Sequence, residues 1–193
     1  MGKGRLEAFS DGVLAIIITI MVLEMKVPHG IELASLKPLW PVFLSYVLSF
    51  ANVAIYWNNH HHMMHASHRV NGAVLWTNSL LLFWLSLIPF VTAWMGENHF
   101  ARWPVVLYGV VLMLAGISYY LLAHCLTDLH GKDSNFTRAL GNDWKGKISV
   151  AIYSLGIILS FIHPLIGFSL YVLVAGLWFI QDKRFENKGA ETQ

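Results

Sequence analysis

Long apolar runs separated by short polar segments dominate the chain. A helix needs about 17–25 mostly apolar residues to cross the roughly 30 Å hydrocarbon core of a bilayer. Several runs reach this length, and a polar stretch over 127–142 separates the fourth run from the last. The pattern predicts an all-α integral membrane protein with one six-helix domain over residues 1–193. The predicted spans are 6–25, 39–58, 72–95, 103–126, 144–162 and 164–181.

The last apolar stretch, 148–180, is too long for one ordinary span. His163-Pro164 lies in its middle, and a proline removes a backbone donor and clashes with the preceding helical turn. One long kinked helix and two helices joined by a tight turn both fit this break.

The positions of the basic residues discriminate between these two interpretations. With six spans, ten of the 13 Lys and Arg residues lie on the side of the amino terminus, whereas a single last helix would leave seven there. Because basic residues concentrate on the cytoplasmic side, six spans with both termini in the cytoplasm are favoured. The ten are Lys3, Arg5, Arg69, Lys132, Arg138, Lys145, Lys147, Lys183, Arg184 and Lys188, and the other three are Lys26, Lys37 and Arg102.

Composition supports a membrane protein and excludes other classes. Hydrophobic residues make up 56% of the chain and charged residues only 12%, about half the usual charged share of a soluble domain. An ordinary soluble domain, a disordered chain and a typical nucleic-acid binder are therefore excluded. A net charge of +2 implies no polyanionic partner, and the single cysteine, Cys125, excludes an intrachain disulfide.

The first predicted helix carries a charge that is hard to place in lipid. Asp11 lies about two turns inside its amino-terminal end, and intramembrane charges call for a functional explanation. At 100° per residue, one stripe of this helix contains Ile16, Ile20 and Leu23, and Asp11 points roughly the opposite way. The apolar stripe either contacts lipid or core, or lines a pathway. A neighbouring stripe of small residues would let helix backbones approach closely; it contains Gly4, Ala8, Gly12 and Ala15.

The start of this helix resembles the signature of the transmembrane protein 175 family of potassium channels. The Arg-x-x-x-Phe-Ser-Asp core matches at Arg5, Phe9, Ser10 and Asp11. Further similarities are Ile16 with Thr19, the Trp-x-Asn-His-His pattern over 57–61, and the third-span residues Asn78, Pro89, Phe90 and Thr92.

The resemblance implies a single-repeat prokaryotic member that assembles as a homotetramer in the plasma membrane, with a pore lined by the first helix. It implies that the narrowest point is a ring of Ile16, followed by Ile20 and Leu23 along the same stripe. Potassium and other monovalent cations would pass down their gradients, with the lipid bilayer as surroundings and no cofactor. Like the family, the chain lacks the Thr-Val-Gly-Tyr-Gly filter of other potassium channels.

The polar residues Thr19, Ser10 and Asp11 on the first helix each need an explanation. The Thr19 hydroxyl is either a selectivity ligand or is bonded back to its own helix. We expect Ser10 and Asp11 to hydrogen-bond to Asn58, His60 and His61, with Asn78 as a further partner. This network would hold the first helix against its own subunit, which is a structural role.

The histidine-rich segment 60–68 offers an alternative function. On a continuous helix His61, His65 and His68 would share a face, and imidazoles at this density bind transition metals. A membrane metal transporter or metal sensor is therefore the alternative to a short solvated turn in this segment. An enzyme is not expected, because no nucleophile–base pair, cofactor motif or intramembrane carboxylate pair is present.

Overall fold

All regular structure in the described part of the protein is helical. The computed structural model describes residues 2–131, 134, 137 and 144–179. The predicted polar stretch 127–142 is described only at 127–131, 134 and 137, and the end of the sixth predicted span also lies outside the described residues. The basic residues outside them are Lys132, Arg138, Lys183, Arg184 and Lys188. The helices are α1 (Lys3–Leu23), a 3-10 helix (Leu33–Leu39), α2 (Trp40–Ala66), α3 (Gly72–Ser86), α4 (Ile88–Glu97), α5 (Arg102–His130), α6 (Trp144–Ser160) and α7 (Pro164–Phe179).

Four helical segments of the described chain are long and apolar enough to cross a membrane, and α7 is a shorter apolar helix. With a rise of 1.5 Å per residue, the 21 residues of α1 cover roughly the thickness of the hydrocarbon core. The protein is therefore a multi-pass membrane protein. The four segments are Lys3–Leu23, Leu33–Ala66, Gly72–Glu97 and Arg102–His130.

The segment predicted as the third span consists of two helices. α3 ends at Ser86 and α4 begins at Ile88, with Leu87 between them. Pro89 occupies the first turn of α4, where its missing N–H costs nothing because that donor has no helical partner anyway. The helical path continues across the junction, since the Val91 N–H still donates to the Leu87 carbonyl at 3.1 Å.

The last apolar stretch folds as an antiparallel pair of helices. α6 ends at Ser160 and α7 begins at Pro164. Near the far end of α7, the Trp178 indole N–H donates to the Ser149 hydroxyl at 2.9 Å, so the end of α7 lies beside the start of α6. Gly167 permits the close approach, because a Cβ there would lie 2.6 Å from the Gly156 carbonyl oxygen.

The long helix α5 forms the middle of the bundle, and α1 lies at its edge. α5 packs against α3, α4, α6 and α7, whereas α1 packs on one side only, against α2, α3 and α4. The ends of α1 and α4 approach each other through Lys26, whose Nζ lies 2.8 Å from a Glu97 oxygen. The hydrogen bond and the attraction to Glu97 raise the pKa of Lys26. Because α1 packs on one side only, none of the described residues covers its opposite side.

Candidate functional site

The first helix divides into a face buried in its own subunit and an exposed face. The exposed side chains include the predicted stripe, with Ile16 58%, Ile20 39% and Leu23 80% exposed. No charged residue interrupts this face between Asp11 and Glu24. The buried side chains recur at intervals of three or four residues and are Leu6, Ser10, Leu14, Ile17 and Met21.

The small residues of α1 lie between the apolar stripe and the side that carries Asp11. Ala8, Gly12 and Ala15 are exposed, and a Cβ added at Gly12 would meet nothing within 4 Å. At about 100° per residue, these positions point almost directly away from the buried face. The subunit therefore presents an apolar stripe and a flat face of small residues, and no part of the described chain covers either of them.

A buried hydrogen-bonded chain attaches the other side of α1 to α2 and α3. The Asn78 amide donates to the Ser10 hydroxyl at 3.0 Å, and the Ser10 hydroxyl donates to the Leu6 carbonyl at 2.9 Å. The Asn78 carbonyl oxygen lies 2.8 Å from His60 Nε2; because that oxygen can only accept, Nε2 carries the proton. All three side chains are almost completely buried. The structure thus brings together Ser10, His60 and Asn78, from three different helices.

Asp11 has a different partner from those expected. The Trp57 indole N–H donates to Asp11 Oδ1 at 3.0 Å. Asn58 is exposed and makes no hydrogen bond to Asp11 in the described part of the chain; it follows Trp57 on α2 and is therefore rotated about 100° from it. His61 does not hydrogen-bond to Asp11 either; its ring stacks on Trp57 with centroids 5.9 Å apart.

Two residues of the matching motif take no part in this network. Arg5 and Phe9 are exposed, and no described residue pairs with the Arg5 side chain. The residue that sequence reasoning missed is Trp57. Its position in the Trp-x-Asn-His-His pattern could have revealed it, but an aromatic residue at a span end also fits an interfacial belt.

Thr19 lies on the small-residue face of α1, next to the apolar stripe. Its hydroxyl donates to the Ile16 carbonyl at 2.8 Å. A hydroxyl that donates its proton still has lone pairs on oxygen. The back-bonded geometry and a role as a cation ligand are therefore compatible.

The histidine-rich segment is mainly helical. α2 continues to Ala66 because Met63 and Met64 are buried and His60 is held by Asn78. The His61 and His65 rings stack with centroids 6.3 Å apart. His68 lies beyond the helix end and donates its backbone N–H to His130 Nε2 at 3.1 Å, so it does not share their face. Among the described residues, no group of three His, Cys, Asp or Glu could hold a metal ion.

Comparisons with known proteins agree in pointing to one family. Residues 5–89 match the family model described as endosomal/lysosomal potassium channel TMEM175. A potassium channel from Chryseobacterium sp. (strain P1-3) is 53% identical over 186 residues, which cover 96% of this chain and 97% of that protein. The endosomal/lysosomal proton channel TMEM175 of Homo sapiens is 34% identical over 116 residues, which cover 54% of this chain and 23% of the human protein.

A solved structure has the same fold over almost its whole length. The crystal structure of a lysosomal potassium-selective channel TMEM175 homolog from Chamaesiphon minutus superimposes with a TM-score of 0.78. The superposition covers 92% of this chain and 96% of the solved chain, at 32% sequence identity.

Proposed function

The chain belongs to the TMEM175 family of potassium channels, and from this premise we propose that it conducts potassium passively through a central pore lined by α1. We assign potassium as the ion because the bacterial relative that matches over 97% of its own length is named a potassium channel. The human relative named a proton channel matches only 54% of this chain.

The uncovered apolar stripe of α1 is the observation that carries this proposal. Ile16 and Leu23 are more than half exposed although they belong to a helix that packs against three others. On the opposite side, Ser10 and Asp11 attach α1 to its own subunit through Asn78 and Trp57. Such attachment would fix the rotation of α1 about its axis, and therefore the direction in which Ile16 points.

A homotetramer accounts for the remaining exposed surface of α1. One stripe cannot enclose a pathway, so symmetric copies must face each other across an axis. The small-residue face containing Gly12 has room for the backbone of a neighbouring helix, as close packing in membranes requires. Asp11 would then serve as a structural anchor for α1, not as an ion ligand.

The Ile16 ring is proposed as the constriction, with Ile20 and Leu23 as the following layers. A hydrophobic ring controls conduction through its diameter and through dewetting. It cannot coordinate a cation with oxygen, so selectivity must come from nearby oxygen atoms. The Thr19 hydroxyl oxygen, three residues beyond Ile16, is the candidate ligand.

The proposed topology has six crossings, with both termini in the cytoplasm of a cell whose plasma membrane contains the channel. The hairpin of α6 and α7 supports an even number of crossings. In this topology the half-buried Lys145, the exposed Lys147, the α2–α3 turn and the amino terminus lie at one end of the bundle, where basic residues would face the cytoplasm.

Substitution of Ile16→Asn tests the proposed constriction. Reconstituted protein should pass a larger potassium current, or discriminate less between potassium and sodium, because an amide ring stays hydrated. Val47→Asn is the control, since Val47 is an equally apolar, exposed residue but lies on α2 and not on the proposed pore helix. If both variants leave the current and its selectivity at the wild-type level, Ile16 is not the constriction.

A further inference from the structure

A groove between α5 and α6 is not explained by the channel proposal. It has a volume of about 340 Å³ and lies outside α1 and its anchoring residues. Gly146 contributes to the groove by having no side chain. The full lining is Ile117, Tyr120, Gly146, Lys147 and Val150.

The lining changes from apolar to polar along the groove. On α5, Tyr120 is three residues closer than Ile117 to the helix end at His130. On α6, Lys147 is three residues closer than Val150 to the helix start at Trp144. Because these two helix ends lie at the same end of the bundle, both polar side chains occupy one end of the groove, roughly one helical turn from the apolar pair.

The polar end has unused binding capacity. Lys147 is exposed and has no hydrogen bond or ion pair to any other residue in the described part of the chain. Tyr120 is 41% exposed, and only its ring is engaged, by stacking on His124 with centroids 5.9 Å apart. An ammonium and a phenolic hydroxyl both donate hydrogen bonds, which favours an anionic oxygen as their partner.

The depth of the groove fits the boundary between lipid and water. Trp144, at the start of α6, is half exposed, and exposed tryptophans mark the interfacial region of membrane proteins. Leu121 and Ile148 beside the groove are exposed apolar side chains, so the surface around it is largely apolar.

We propose that the α5–α6 groove binds an anionic phospholipid. The phosphate receives hydrogen bonds from Lys147 and Tyr120, and the start of an acyl chain lies over Ile117 and Val150. Charge complementarity selects the anionic headgroup, and the apolar lining selects a molecule with a hydrocarbon tail. This inference depends on membrane insertion of the bundle and not on which ion the protein conducts.

Native mass spectrometry of the intact protein with phosphatidylglycerol and phosphatidylcholine tests the site. The wild type should prefer phosphatidylglycerol, and Lys147→Gln should reduce that preference about fivefold, which corresponds to the roughly 1 kcal/mol that one lysine contributes near an anionic membrane surface. Lys147→Arg should retain it. Lys37→Gln is the control, because Lys37 is also exposed but precedes α2 at the opposite end of the bundle.

Three results would overturn the proposal. The first is an unchanged preference for phosphatidylglycerol in Lys147→Gln, which would mean that Lys147 does not bind the headgroup. The second is an equal loss of preference in Lys37→Gln, which would mean that overall charge and not the groove attracts the lipid. A change of oligomeric state in Lys147→Gln would assign the groove to a second copy of the chain. The potassium current in neutral lipid is measured in parallel. A wild-type protein that passes no current but still binds phosphatidylglycerol through Lys147 would contradict the proposed channel function and leave the lipid site supported.

Discussion

The buried contact between Asn78 and its two partners can be tested by replacing Asn78 with leucine, which has a similar size but no hydrogen-bonding groups. The change removes the bond from Asn78 to Ser10 and the bond from His60 to Asn78. Interhelical hydrogen bonds in membrane proteins contribute about 0.6 kcal/mol each on average. His60, which is only 3% exposed, would in addition keep a buried N–H without a partner, at a cost of about 1–3 kcal/mol.

We therefore expect Asn78→Leu to lower the free energy of unfolding by about 2–4 kcal/mol. Reversible denaturation in mixed micelles, followed by tryptophan fluorescence, measures this difference. Asn58→Leu is the control, because Asn58 is exposed and outside the network, and its effect should stay within about 0.5 kcal/mol.

A double-mutant cycle tests whether Asn78 and Ser10 act together. Ser10→Ala should destabilise the wild type by about 1 kcal/mol and should have almost no effect once Asn78 is leucine. The reasoning is refuted if Asn78→Leu is no more destabilising than Asn58→Leu, or if the two substitutions are additive.

Three further substitutions test other parts of the structure. Trp57→Phe keeps an aromatic ring beside His61 but removes the N–H that binds Asp11, so the potassium current should fall at equal protein amount. The control Trp76→Phe, at an exposed position, should not change the current. Equal currents in the two variants would mean that Trp57 does not anchor α1. Gly96→Ala places a Cβ 2.6 Å from the Val42 Cα and should destabilise the fold by about 1–3 kcal/mol in the same denaturation assay. The control Gly116→Ala makes only an ordinary contact at 3.5 Å and should be tolerated. Similar stabilities of the two variants would contradict the close approach of α2 and α4. Gly12→Leu should reduce the tetramer fraction in native mass spectrometry without loss of helix content, because Gly12 has open space within its own subunit; an unchanged tetramer fraction would mean that no second subunit covers this face.

The helices were predictable where length and apolarity alone decide them. The break at His163-Pro164 could be interpreted correctly because the loop charges discriminate between one helix and two. The junction at Leu87 could not, since Pro89 at the start of a helix leaves the apolar run uninterrupted. The helical extension of α2 was also missed, because a polar run after Trp57 looks like a loop until Met63 and Met64 are seen to be buried.

The anchoring site was less accessible to sequence reasoning than the exposed stripe. The stripe follows from helical periodicity alone, so Ile16, Ile20 and Leu23 could be grouped without any structure. The Ser10–Asn78 contact joins residues 68 positions apart, and its expectation came from a resemblance to a family. The partner of Asp11 depends on which face of α2 is turned toward α1. The spacing of residues within either helix does not specify this relative orientation.

The most direct test of potassium conduction is a bi-ionic reversal potential for purified protein in planar bilayers, with potassium on one side and sodium on the other. We expect currents that scale with the amount of protein and a reversal potential whose sign shows a preference for potassium. No current above that of protein-free bilayers, or a reversal potential of zero in the bi-ionic gradient, would contradict a potassium channel formed by this chain.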